Sequence, residues 1–188
     1  ILAEVGMGGA QSAGTTLHMY LPTASGPIPI ATVINGIRYA VHTDHLNTPR
    51  RITMASGTVP WQWAYSGFGE DEPTTASKRF TSATTNPTTG TNPATAVTYN
   101  LRYPGQLADS ESGLFYNYFR SYNPTTGRYT QTDPIGLEGG WNRFGYTDAS
   151  PLGFTDPYGL QVGLLIRAGA TALGIGALME ASRPKGMS

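Results

Sequence analysis

Apolar and polar residues alternate in short runs along most of the chain, and turn residues close each run. Ile30, Thr32 and Ile34 lead through Asn35-Gly36 into Ile37, Tyr39 and Val41. Asn-Gly between alternating runs predicts a β-hairpin across residues 28–41, because both turn residues tolerate positive φ. A second hairpin is expected over residues 51–65, where Ile52-Thr53-Met54 and Val59-Pro60-Trp61-Gln62-Trp63 flank Ala55-Ser56-Gly57-Thr58. Ahead of these, residues 1–27 are small and glycine-rich, and only Leu17-His18-Met19-Tyr20-Leu21 supports a short strand. Alternation resumes over residues 99–129 with bulky residues on both parities: Leu114, Tyr116 and Tyr118 on one, Phe115, Asn117 and Phe119 on the other. That pattern predicts strands buried on both faces, or a covered sheet edge.

Two stretches break the β pattern. Residues 70–96 are rich in Thr, Ser, Asn, Pro and Gly and carry almost no large apolar side chain. Such a segment buries too little surface to fold alone, so a long exposed loop is expected. After Leu160 the chain turns to alanine, glycine and leucine, and Leu164, Leu165, Ala168, Ala172, Leu173, Ile175 and Leu178 share a helical stripe. A bilayer span needs about 20 apolar residues, and Arg167 interrupts this run. A packed or surface-lying helix is therefore expected over residues 162–179, and membrane contact would come only through it.

Composition sharpens the fold class. With 24 glycines, 14 prolines and 13% charged residues in 188, the chain reads as mainly β rather than a helical bundle. Its formal charge of zero gives no electrostatic footprint for nucleic acid. Cysteine is absent, which removes disulfides, thiol catalysis and thiolate metal sites. The chain opens at Ile1 without a signal-peptide pattern, so it is expected to be a piece of a longer product.

The sharpest candidate chemistry lies in a repeated phrase, Asp133-Pro134-Ile135-Gly136-Leu137 and Asp156-Pro157-Tyr158-Gly159-Leu160. Two carboxylates sharing one proton can cut a peptide bond, one activating water while the other protonates the leaving amine. Equally, each aspartate can cap its own Asp-Pro turn, and sequence separation does not decide between these readings. His42 and His45 point to opposite faces at strand spacing, and no further His or Cys cluster completes a metal set. Asp44 and His45 are expected to hold a turn. No Gly-x-Ser-x-Gly elbow, phosphate loop or dinucleotide fingerprint is present, and no cofactor is expected. The aromatics at Trp61, Trp63, Tyr65, Phe68, Phe115, Tyr116, Tyr118, Phe119 and Tyr122 are expected as sheet packing rather than a carbohydrate or peptide site.

Several segments together resemble the RHS repeat-associated core, the end of the RHS/YD-repeat shell of polymorphic toxins. They are Arg102-Tyr103-Pro104-Gly105-Gln106, residues 109–117, Tyr122-Asn123-Pro124-Thr125-Thr126-Gly127-Arg128-Tyr129 and the two Asp-Pro phrases. Residues 39–50 and 61–69 resemble the family's last repeats. The resemblance implies terminal shell hairpins over residues 1–72, a Thr/Pro-rich loop over 73–98 and the core over 99–160. Residues 161–188 would begin a variable toxin region. It further implies a single-turnover aspartyl autoprotease with Asp133 and Asp156 as the dyad, cutting between Leu160 and Gln161. Arg128, Pro134, Gly136, Pro157 and Gly159 are the motif's supporting residues, and Ser150 departs from the Asn common before Pro-Leu. Implied partners are the rest of the shell, the encapsulated toxin, a secretion-system component and an immunity protein. The parent would be secreted or delivered in interbacterial competition. The alternative is a non-catalytic structural or interaction module, an orphan core whose aspartates only make turns. A third reading makes residues 161–188 a membrane-active peptide.

Overall fold

Turn chemistry sets the strand boundaries. The computed structural model describes residues 2–6, 14–24, 26–63, 66–75 and 95–160. Strands β1 (Ala3–Gly6), β2 (Gly14–Leu21), β3 (Ile28–Ile34), β4 (Ile37–Thr43), β5 (Pro49–Thr53) and β6 (Trp61–Gln62) form an antiparallel meander in sequence order. Asn35 and Gly36 turn β3 into β4 at φ 49° and 82°, and Ile34 pairs with Ile37. The second expected hairpin pairs Ile52 with Trp61 and turns at Gly57, φ 85°. A second antiparallel sheet, in the order β10-β9-β8-β7, uses β7 (Leu107–Asp109), β8 (Leu114–Asn117), β9 (Arg120–Asn123) and β10 (Arg128–Tyr129).

The strand expected at Leu17–Leu21, β2, is longer than its apolar run. β2 begins at Gly14 because β1 and β3 hydrogen-bond it on both edges, which orders the small residues too. Its inward positions are polar: Thr16 and His18 are buried, while Leu17, Met19 and Leu21 are exposed. The buried Glu4 carboxylate explains this inversion, since it pairs with His18 Nε2 and accepts from Asn100 Nδ2, both at 2.8 Å. Buried polar groups persist when partnered in this way.

Aromatic rings join the two sheets. Trp61 meets Tyr99 at 5.0 Å between centroids, and Trp63 meets Tyr103 at 5.2 Å. From Tyr103 the contacts run through Tyr146 to Tyr122 and Tyr129, mostly tilted or edge-on. Edge-on geometry places positive ring edges against negative ring faces and adds to the gain from burial. Asp44 Oδ1 accepts from the amides of Leu46 and Thr48 and its Oδ2 from Arg50 Nε, so Asp44 holds the expected turn.

Two-faced burial of β8 is not what forms. Phe115 and Asn117 face inward, but Tyr116 is 48% exposed, Tyr118 56% and Phe119 46%. Tyr118 and Phe119 form the two-residue turn between β8 and β9, with Tyr118 at φ 56°, so they are corner residues rather than a second strand face. For these, packing within the sheet is the wrong expectation; Tyr118 instead meets Phe119 at a tilt and Tyr158 edge-on. The beginning of the expected loop is tied down, as Thr74 exchanges both backbone hydrogen bonds with Gln62. Its stretch 76–94, Tyr65, Gln161, the helical stripe over 162–179 and all of 161–188 lie outside the described residues.

Candidate functional site

Both Asp-Pro phrases fold into one kind of corner. Proline takes the second position, and the fourth residue donates its amide back to the aspartate carbonyl, Gly136 to Asp133 at 3.1 Å and Gly159 to Asp156 at 3.4 Å. Ile135 at φ −84°, ψ 3° occupies the third position of a type I turn. Gly136 and Gly159 then adopt φ 69° and 67°, the left-handed conformation that leads each chain out. In each corner one carboxylate oxygen does the local capping. Asp133 Oδ1 accepts from the Ile135 amide at 3.0 Å, and Asp156 Oδ1 from the Leu160 amide at 3.1 Å.

The other two oxygens converge. Asp133 Oδ2 and Asp156 Oδ2 lie 2.9 Å and 3.2 Å from the same nitrogen, Arg120 Nη2. All three side chains are buried. Arg120 reaches them from the start of β9, and its remaining nitrogens are also engaged. Nε donates to the Gly159 carbonyl and Nη1 to the Arg143 carbonyl. The guanidinium lies over the Tyr129 ring, 3.7 Å from its centroid, a cation–π contact that supports a cation away from water. Tyr129 in turn donates its hydroxyl to Asp156 Oδ2 at 2.8 Å. Asn117 Nδ2 donates both to that hydroxyl and to the Asp156 carbonyl.

Burial also acts on the ionisable groups of this network. Desolvation raises the Asp133 carboxyl above the ordinary value of 3.8, against the Ile135 amide and the Arg120 cation, while the Asp156 charge adds to the rise. Desolvation, with Asp156 next, also pushes the Tyr129 hydroxyl far above its usual range, so it stays a donor. The Leu160 carbonyl faces the Asp133 side of the cluster: a Cβ placed on Gly139 would stand 2.5 Å from Asp133 Oδ2 and 3.0 Å from the Leu160 oxygen.

The expected dyad residues are thus brought together, with Leu160 beside them, and Pro134, Gly136, Pro157 and Gly159 shape their corners. Arg128 is placed differently: its side chain is exposed on β10, where it pairs with Asn123, and it does not enter the cluster. The cation of the site is Arg120, which sequence reasoning missed along with Tyr129 and Asn117. Ser150 opens a turn, accepting from the amides of Gly153 and Phe154. His42 and His45 go separate ways, to the Thr53 hydroxyl and the Leu152 carbonyl. Among the described residues no group of His, Cys, Asp or Glu is arranged to hold a metal ion.

The chain is similar to parts of much longer known proteins. Over 149 residues the chain is 38% identical to double-stranded DNA deaminase toxin A of Burkholderia cenocepacia, spanning 77% of the chain and 9% of that protein. It is 52% identical over 60 residues to the probable deoxyribonuclease RhsA of Dickeya dadantii, covering 32% of the chain and 4% of the relative. The chain therefore spans less than a tenth of the length of these relatives. In fold it is similar to a chain in a mutant Photorhabdus luminescens Tc holotoxin pore, with a TM-score of 0.54 at 17% identity. That match covers 83% of this chain and 7% of the other. No family model matches.

Proposed function

Because the chain belongs to the RHS repeat-associated core region of polymorphic toxin proteins, we propose that it cuts its own backbone once, after Leu160, and so frees a toxin carried C-terminal to it. One observation carries this reading. The carboxylates of Asp133 and Asp156 each turn a second oxygen to a single buried Arg120 nitrogen, with the Leu160 carbonyl alongside. Turn capping needs only the Oδ1 atoms; it does not require the Oδ2 atoms to meet.

The chemistry follows from charge. Two carboxylates, one guanidinium and one shared proton sum to zero, which is the state a desolvated cluster favours. Burial raises the proton affinity of Asp133, so the proton resides there. Asp156, which accepts from Arg120, Tyr129 and the Leu160 amide, takes a proton from water. The water oxygen bonds to the Leu160 carbonyl carbon, Asp133 delivers its proton to the Gln161 nitrogen, and the C–N bond breaks. The products are a Leu160 carboxyl group and a Gln161 amine. General acid–base assistance of this kind contributes roughly 10²–10⁴-fold.

In this reading residues 1–72 are the last shell hairpins, 73–98 a loop, 99–160 the core and 161–188 the start of the released region. Relatives named for different activities, a deaminase and a deoxyribonuclease, each match part of this chain, which supports a common releasing device. The rest of the shell and the encapsulated toxin are its partners, and an immunity protein and a secretion component act on the parent. The parent is secreted or delivered into a target cell. A purely structural module is the competing reading, favoured by the Oδ1 turn caps. Mass spectrometry of the purified chain in heavy-oxygen water decides between them. Cleavage gives fragments 1–160 and 161–188, with one solvent oxygen in the new Leu160 carboxyl. An intact chain with a folded β core assigns the aspartates to turns alone.

A further inference from the structure

We propose that Gly139 is a positioning residue of this site, its missing side chain being what lets the Asp133 carboxylate and the Leu160 carbonyl approach each other. The inference rests on the autoprotease reading. Gly139 closes the 3-10 turn Gly136–Gly139 that follows the first Asp-Pro corner. Unlike Gly136 and Gly140, it has no positive φ, so its backbone does not itself require glycine. Space does. A Cβ here would meet Asp133 Oδ2 at 2.5 Å, Asp133 Cγ at 2.9 Å and the Leu160 oxygen at 3.0 Å. Two of these neighbours belong to the acid and the third to the carbonyl that it serves.

The second corner is seated on glycines as well. Gly105 lies directly against the Pro157 carbonyl, and a Cβ on Gly159 would stand 2.5 Å from the Asn117 carbonyl. Both have positive φ and meet backbone, so they fix the loop and are poor probes of chemistry. Gly139 is the separable one, because its closest neighbour is a side chain that can move. Ordinary van der Waals contact begins at 3.4 Å, so an added methyl drives the Asp133 carboxylate back by about 1 Å. A shift of that size at a reacting group costs on the order of 10²-fold in rate.

The test compares Gly139→Ala with Gly67→Ala, a glycine with open space around it and no positive φ, in the 188-residue chain. The readouts are the cleavage rate after Leu160 by intact mass, across pH, and the melting temperature. Gly139→Ala is expected to slow cleavage about 100-fold while its β circular dichroism is retained, and Gly67→Ala to match the parent. The groups facing Asp133 are Arg120, Asp156 and Arg143. Moving the carboxyl off Arg120 removes a cation that favours its charged form, so the alkaline limb of the rate profile, where this general acid loses its proton, moves to higher pH. A merely structural role lowers the rate equally at every pH. Should Gly139→Ala fail to fold, adding Asp133→Ala removes the two closer of the three atoms that its methyl meets, leaving only the Leu160 oxygen at 3.0 Å, and restores the fold. Parent-like cleavage and pH profile in Gly139→Ala overturn the proposal while leaving the autoprotease reading standing, as does a double variant that stays unfolded. A parent chain that folds without cutting overturns both.

Discussion

The two Asp-Pro corners share four of their five residues and the same turn, yet they sit in unlike surroundings. Asp156 accepts from a tyrosine hydroxyl, a backbone amide and a guanidinium, and Asn117 holds its main chain. Asp133 has its turn amide and the same guanidinium, against the space left by Gly139. At Asp133, burial outweighs its donors and raises the proton affinity. Repetition of a motif therefore supplies the turn, and its neighbours assign the role. The contrast can be broken or sharpened by substitution.

Removing the shared cation should have the largest effect on stability. Arg120→Met leaves two buried carboxylates facing each other, and breaking a buried ion pair costs about 3–5 kcal/mol. Urea unfolding at neutral pH should show this loss. Without the guanidinium both acids favour their neutral forms more strongly, so the deficit should shrink as pH falls and grow as it rises.

Next, the two Asn substitutions should differ. Asp156→Asn weakens bonds from Tyr129, Leu160 and Arg120 at once, and is expected to cost about 2–3 kcal/mol. Asp133→Asn leaves Arg120 with Asp156 and the Gly159 carbonyl, and should cost about 1 kcal/mol. The pH dependence carries a sign. A carboxyl raised above 3.8 in the fold binds protons more tightly than in the unfolded chain. Its contribution to stability is therefore full at low pH and declines as pH rises from that value through the folded pKa. Asp133→Asn should flatten that decline; equal costs and unchanged pH slopes in both variants would erase the distinction between the corners.

Tyr129→Phe should cost about 1–2 kcal/mol, since it removes the donor to Asp156 and leaves Asn117 Nδ2 short of an acceptor. It should also slow cleavage without changing the cut position. A smaller gain is expected from Ala149→Gly. Thr147, Asp148 and Ala149 run at φ 49°, 49° and 59° between the two corners. Glycine relieves about 1 kcal/mol of left-handed strain there, to be read as a higher melting temperature.

The corners themselves were legible from Asp-Pro-x-Gly, as was the Asn35-Gly36 hairpin, because turn residues act on their own backbone. Strand β1 was not, since Ala3-Glu4-Val5-Gly6 is short, buries Glu4 rather than its apolar residues, and is ordered by pairing to β2. Tyr118 and Phe119 misled because bulky residues at a tight corner look like strand residues until register is known. Arg120 was invisible for a further reason. Nothing in Tyr-Phe-Arg-Ser-Tyr says that an arginine is buried, and its four acceptors come from residues 133, 143, 156 and 159, outside its own hairpin. Convergence of distant side chains belongs to tertiary packing, which local pattern does not encode.

The central claim is that two like corners form one cutting site, and an intact-mass time course on the parent chain, Asp133→Asn, Asp156→Asn and His45→Asn tests it most directly. The account predicts cleavage between Leu160 and Gln161 in the parent and in His45→Asn. Both Asp variants, still β-folded by circular dichroism, should remain joined. Cleavage at that bond in either Asp variant at the parent's rate, or a folded parent that never cuts, would contradict it.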